Sequence, residues 1–372
     1  MRTARLLRAL AVTALLAAAC GSTNSPATGN ATPALTPSPT AASSPTQQTP
    51  CPPPSNRCLA LVTLRGSTQL VVRDITDIGH ATTVSQLGSI QNPQFVSSTA
   101  LSYIDGNNLV TVPLAGSPKT VVAKTTQGVM LFAWSPDGST VVYTTQSKPG
   151  TATVHRLSAG RDQVLGTYPI LRGAVGCETV ASCAGADTWD IRLSYSPDGA
   201  FVSLVESIAN ITSFRLWSSD GRLLTSSDSQ SRSMSAWSGQ SFYFPGAKGV
   251  EVWRDGVVSS FLPGVDWIRP KASPAGGQIV YEVRDAQGWH HTYAVDTTTR
   301  KVRELKKGRT QPAFLTSRYI WYEGERACGV SEGCDASHSA IFSGKNYIYD
   351  LQAGTETESI ITSVADVWPH AA

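Results

Sequence analysis

From residue 59 onward the chain is a succession of short runs in which apolar and polar positions alternate, rich in Val, Ile, Tyr, Phe, Trp and Thr and broken by turn residues. Alternation with a period of two predicts strands with one face buried. Second strands of a repeating unit are expected at Ala100 to Ile104, Thr140 to Thr145, Phe201 to Glu206, Ser241 to Phe244, Gln278 to Val283 and Arg318 to Tyr322. Third strands are expected at Leu109 to Pro113, Thr153 to Leu157, Thr212 to Trp217, Gly249 to Trp253, His290 to Val295 and Asn346 to Leu351.

A short cassette sets the period. Its clearest copies are Trp134-Ser135-Pro136-Asp137-Gly138 and Tyr195-Ser196-Pro197-Asp198-Gly199, with a weaker form at Ser273-Pro274-Ala275-Gly276. Pro presets φ, Asp bonds its own backbone and Gly takes positive φ, so the cassette reads as a tight turn. Anchored on the position of Trp134, copies fall at Phe95, Trp134, Tyr195, Trp237, Ala272, Phe314 and Ala371, most of them about 40 residues apart. Pro93, Pro270, Pro312 and Pro369 each stand two residues before an anchor. Four strands per repeat of this length are the signature of β-propeller blades.

The ends complete the count. Leu59 to Leu64, Leu70 to Ile75 and Thr82 to Leu87 are three strands without a first, and Val364 to Pro369 is a first strand without the rest. The expectation is an all-β, seven-bladed propeller of four-stranded blades closed by N- and C-terminal strands, which leaves no open edge between the ends. Six blades with a frayed C-terminus is the alternative.

Before residue 51 the pattern is different. Residues 1–19 carry Arg2, Arg5 and Arg8 and then the apolar stretch Ala9 to Ala19, a signal peptide too short to span a membrane comfortably. It ends Leu16-Ala17-Ala18-Ala19-Cys20, which resembles the lipobox of bacterial lipoproteins, with Ala17 where the pattern usually has Leu. That resemblance implies lipidation at Cys20; cleavage after Ala19 to give a secreted protein is the alternative. Gly21 to Pro50 is nearly all Ser, Thr, Pro, Ala, Asn, Gln and Gly and cannot bury a core. It reads as a flexible tether with a mean span of roughly 30 Å. The propeller domain is residues 51–372.

Removing the signal takes 3 Arg from a balance of 30 Lys+Arg against 27 Asp+Glu, leaving 27 against 27. No basic footprint for nucleic acid remains. Of 7 Cys, Cys20 is assigned to lipid and six form close pairs, Cys51 with Cys58, Cys177 with Cys183 and Cys328 with Cys334. Three local disulfides in an oxidising compartment are expected, each worth roughly 2 kcal/mol.

The aromatic-Ser-Pro-Asp-Gly cassette, followed by a strand, resembles TolB-like, WD40-like propeller repeats, closely at residues 132–145 and 193–206 and loosely near Trp237, Pro270 and Phe314. Such propellers serve as interaction platforms in the cell envelope, as the non-catalytic cap of prolyl oligopeptidase-type enzymes, and as sugar or lactone enzymes. The resemblance implies the fold and leaves the function open.

The sequence has no Gly-x-Ser-x-Gly elbow, no hydrolase domain after the propeller and no His-Glu-x-x-His. His290 and His291 are adjacent and so face opposite sides of a strand. No cofactor or metal is expected, and Asp137 and Asp198 read as turn residues. Trp134, Trp217, Trp237, Trp253 and Trp321 read as packing between blades. Trp189, Trp267 and Trp368 lie at or just before first strands, at the expected mouth of the central channel. Three and five positions before the anchors stand Arg192, Arg269, Gln311, Asn92 and Trp368, and Asp190, Arg232, Trp267, Arg309 and Asp366. Period-two alternation puts both sets on one face. If that face looks inward, these residues form a mixed-charge ring. The long segments holding Cys177 and Cys328 fall on that same side of the ring, and long loops on a rigid scaffold commonly carry binding.

The resulting expectation is a monomeric, non-enzymatic lipoprotein of the bacterial envelope that docks a protein or a glycan through Trp189, Asp190, Arg192, Arg232, Trp267, Arg269, Arg309, Asp366 and Trp368. The alternative is an enzyme or small-ligand receptor working through the Arg/Asp-lined channel.

Overall fold

A computed structural model describes residues 51, 57–88, 90–148, 150–169, 189–208, 211–229, 234–329, 332 and 340–370. These residues form seven four-stranded antiparallel sheets. Six are continuous in sequence, and their first, innermost strands are Gln91–Ser97, Val129–Trp134, Trp189–Tyr195, Ala236–Ser238, Ile268–Ala272 and Arg309–Phe314. We number these blades 1 to 6. The seventh, the closing blade, takes Ile361–Trp368 as its inner strand and Leu59–Leu64, Leu70–Asp74 and Thr82–Gly88 as the other three. Seven blades is therefore the correct count.

Closure is specific. Leu59–Leu64 pairs with Ile361–Trp368 from Leu59 opposite Trp368 to Leu64 opposite Ile361. The Thr63 hydroxyl lies 2.8 Å from that of Thr362 and 2.7 Å from that of Ser363. The anchor of the closing blade is Val367, which pairs with Ala60 as Trp134 pairs with Val141 and, like Trp134, packs against the preceding blade. The placement at Ala371 is four residues late: Pro369 stands two residues after the anchor, as Pro136 does after Trp134, and not two before it.

The cassettes fold as their chemistry dictates. The Ser135 hydroxyl donates to Asp137 at 2.6 Å, Gly138 N–H to Ser135 O at 2.8 Å, and Thr140 N–H to Ser135 Oγ at 2.9 Å. Ser196, Asp198, Gly199 and Phe201 repeat the arrangement. Gly138 and Gly199 hold φ of +67° and +73°, which glycine adopts without a Cβ penalty.

The core is distributed around the ring. Seven apolar clusters each join one blade to the next. Phe214 and Trp217 pack in the two junctions that blade 3 makes with blades 4 and 2, and Trp321 fills the junction between blade 6 and the closing blade. Cys51 and Cys58 are disulfide-bonded, buried, and part of that last cluster. Cys328 is also in a disulfide. Its partner, Cys177, Cys183 and Cys334 lie outside the described residues, as do Cys20, the signal segment and the tether.

Alternation along the inner strands is interrupted. In blades 1, 5 and 6 a bulge falls between Gln91 and Gln94, Ile268 and Lys271, and Thr310 and Ala313. At each, a non-glycine residue takes positive φ: Asn92 (47°), Arg269 (48°) and Gln311 (56°). Each precedes a proline. The closing blade has a comparable shift opposite Leu61 and Val62, whereas blade 3 has none. Every extra residue reverses the face of what precedes it.

Candidate functional site in the central channel

The inner strands leave a cavity of about 360 Å³ inside the ring. Cassette residues Pro136, Ser196 and Pro197 border it, so it lies toward the face where first strands turn into second strands. We call this the cassette face. The sequence expectation put the mouth at the other end. Side chains of blades 1, 3 and 5 and of the closing blade reach the cavity: Gln94, Arg192, Ser194, Lys271, Asp366 and His370. Trp134, Tyr195 and Trp237 form apolar wall.

Asp366 is the structural hinge of this site. Its carboxylate accepts the Phe95 N–H at 2.7 Å, tying the closing blade to blade 1, and lies 3.1 Å from Nε2 of His370. Burial disfavours the charged imidazole of His370; the Asp366 carboxylate outweighs it and raises the His370 pKa.

A second polar cluster joins blades 5 and 6. Glu282 is fully buried. Its carboxylate accepts Gln311 N–H at 2.7 Å, the Thr310 hydroxyl at 2.8 Å and Arg269 Nη1 at 3.3 Å. His290 Nδ1 lies 2.6 Å from Glu325 and its Nε2 lies 3.7 Å from Glu282. Burial pushes the Glu282 carboxyl up against the pull of Arg269 and His290. Burial also raises Glu323, and Glu282 and Glu325 add to it. His291 points the other way, to Asp285 and Glu304, as strand alternation requires.

The expected ring of nine residues is only partly assembled. Arg192 and Asp366 line the cavity. Arg192 is there because the inner strand of blade 3 is unbulged, so Arg192 and Ser194 share a face. Arg269 sits at a bulge, paired with Glu282. Trp267 is fully buried between blades 4 and 5, with Nε1 donating to Met234 O at 3.0 Å, and is not at a mouth. Arg309 is turned away from the channel: it is paired with Glu356 at 2.6 Å and lies 4.0 Å from the Tyr347 ring centroid. Both corrections have one cause, since counting back five positions from Ala272 or Phe314 crosses a bulge. Trp368 packs partly buried at the junction of the closing blade with blade 1, its ring against His370. The Trp189 and Asp190 side chains, and all of Arg232, lie outside the described residues. Sequence reasoning missed Gln94, Ser194 and Lys271, each one position before its anchor, because it followed alternation from three positions back. His370 was missed through the late anchor.

The topology and this channel define the class: a seven-bladed β-propeller. No family model matches the chain, and no curated protein matches it. Among solved structures it is similar to TolB from Acinetobacter baumannii, with 13% identity and a TM-score of 0.40 over 83% of this chain and 80% of that one. It is similar to a prolyl endopeptidase with 12% identity and a TM-score of 0.53 over 83% of this chain and 50% of that one, so it spans half of the endopeptidase. It is also similar to an oligogalacturonate lyase in complex with manganese, with 13% identity and a TM-score of 0.48 over 82% and 84%. At these identities the likeness is one of fold.

Proposed function

We propose that the protein is a lipid-anchored component of a bacterial cell envelope, held through Cys20 and the 21–50 tether, whose propeller docks an envelope protein without catalysing a reaction. One observation carries the docking part. In blade 6 the strands Tyr319–Ala327 and Ala340–Asp350 are 9 and 11 residues long, while the outer strand Thr355–Ser359 has 5. The two middle strands continue as a hairpin through Glu325 opposite Phe342 to Ala327 opposite Ala340. Phe342 is 49% exposed there, and exposed aromatics are common anchors of binding energy. This hairpin leaves the face opposite the cassettes. The chain enters the propeller at the cassette face, where the Cys51–Cys58 disulfide secures the start of Leu59–Leu64. The groups with acid-base chemistry outside the channel, such as Glu282, His290, Arg309 and Glu356, are engaged in contacts within and between blades, which suits a scaffold.

A photo-crosslinking residue at position 342 tests this in intact cells. A discrete protein adduct from position 342, absent from the exposed cassette-face position 220, is expected. The same adducts from both positions, none from either, or a glycan adduct alone would defeat protein docking at this hairpin.

A further inference from the structure

We propose that the wedge between the closing blade and blade 6 binds an aliphatic monocarboxylate of medium chain length. Beside their shared core the two blades leave a cavity of about 480 Å³, within the range of roughly 300–1,000 Å³ usual for small-ligand pockets. Strand register turns both walls toward it. Arg73 stands opposite Ala60 in the closing blade, and Ile348 stands opposite Trp321 in blade 6. Ala60 and Trp321 belong to the core of this junction. Residues directly opposite in a ladder share a face, so Arg73 and Ile348 look into the same gap.

Arg73 is the only Lys or Arg that lines this cavity. Its Nη2 donates to Ala81 O, its Nε is enclosed without an acceptor, and no carboxylate among the described residues pairs with it. The two carboxylates of the lining are already committed. Asp350 accepts from Arg318 through both oxygens, at 2.9 and 2.5 Å, and Glu358 is shared by Arg65 at 2.9 Å and Lys345 at 3.1 Å. A guanidinium drawn partly out of water without a counter-charge is costly, and an anion in the cavity supplies what the chain does not. The rest of the lining sets the body of that anion. Ile78, Ala81, Tyr319 and Ile348 touch the junction core on one side but stay only partly buried, and Ile360 is 55% exposed. Accessible apolar surface beside a single uncompensated cation suits an alkyl chain with one carboxylate. The site lies between blades, outside the channel, and stands or falls independently of docking at the blade 6 hairpin.

Calorimetry and thermal melts on the purified full chain decide the matter, with octanoate as the probe and butyrate and 1-octanol as comparisons at matched ionic strength. Saturable binding of one octanoate per chain with a rise in melting temperature is expected. Butyrate should bind at least tenfold more weakly, since each buried methylene is worth about fourfold, and 1-octanol at least tenfold more weakly because it brings no charge. Arg73→Gln should weaken octanoate at least tenfold and leave it no better than 1-octanol, while Arg222→Gln in blade 3, outside the cavity, should change nothing. Ile360→Asp, at an exposed position, should also weaken octanoate, and it decides alone if Arg73→Gln fails to fold. Absence of saturable octanoate binding, equal binding of butyrate or 1-octanol, or octanoate affinity unchanged in a folded Arg73→Gln or Ile360→Asp protein overturns the proposal.

Discussion

Trp267→Ala should be among the most destabilising single changes in the propeller, and it should act on stability alone. Trp267 is fully buried, with its ring 5.7 Å from that of Tyr281 and its neighbours Tyr243, Phe261 and Leu262 drawn from blade 4. Truncating a buried Trp costs about 3–5 kcal/mol through lost burial and the cavity left behind. The Met234 carbonyl, which accepts the indole N–H at 3.0 Å, is then left without that donor in a buried setting, at a further cost of about 1 kcal/mol. At about 2 °C per kcal/mol for a domain of this size, the melting temperature should fall by roughly 8–12 °C. Trp267→Phe keeps most of the ring and loses only the N–H and some volume, so about 1–2 kcal/mol is expected. Near-UV circular dichroism followed through urea and thermal unfolding measures both. A loss below about 1 kcal/mol for Trp267→Ala, or loss of partner capture at unchanged stability, would refute the buried placement and restore Trp267 to a binding face.

Deleting residues 361–372 removes the inner strand that Leu59–Leu64 pairs with; the truncated chain should aggregate or melt well below the parent, and unchanged thermal stability would contradict closure by the ends. Cys20→Ser should abolish fatty-acid labelling and release the protein from membranes, and absence of label on the unaltered protein would end the lipoprotein reading. Burial tends to raise the Asp198 carboxyl, but Ser196, Ala200 N–H and Gln240 together lower it. Its contribution to stability is thus present above the unfolded carboxylate value and lost as pH falls through the lower folded value. Asp198→Asn should cost about 0.5–1 kcal/mol at pH 7, kept small by exposure of the carboxylate, and the gap measured by urea titration should close below about pH 4; a gap constant down to pH 2 would show that the charge is irrelevant.

The parts of the fold legible in the sequence are those set by local chemistry. Ser135-Pro136-Asp137-Gly138 encodes its own turn, and the strand after it begins where the hydroxyl of Ser135 meets Thr140 N–H. The pairing of the two ends was legible because three strands lacked a first and one first strand lacked the rest. Side-chain direction in the inner strands was not, because it is cumulative: one bulge reverses everything beyond it. The signal was nonetheless present. Asn92-Pro93, Arg269-Pro270 and Gln311-Pro312 put proline inside a paired strand, and proline there marks a bulge. Applied to Trp267 and Arg309, that rule would have turned both out of the channel. The buried Glu282 was obscured for another reason, since its donors come from Arg269 in its own blade and from Thr310 and Gln311 in the next.

The closing blade also sets a schedule. The hydroxyls of Thr63 and Ser363 that meet in it are separated by 300 residues. Whatever the rate at which the chain emerges, Leu59–Leu64 waits for about 300 further residues before its inner partner appears. Throughout that interval it presents Leu59, Leu61 and Val62, all fully buried in the finished ring, on an unpaired edge. Blades 1 to 6 can form in the order in which they emerge, but the ring can shut only after the last strand has emerged. Vulnerability to aggregation is therefore concentrated at the beginning of the domain and ends with its last ten or so residues.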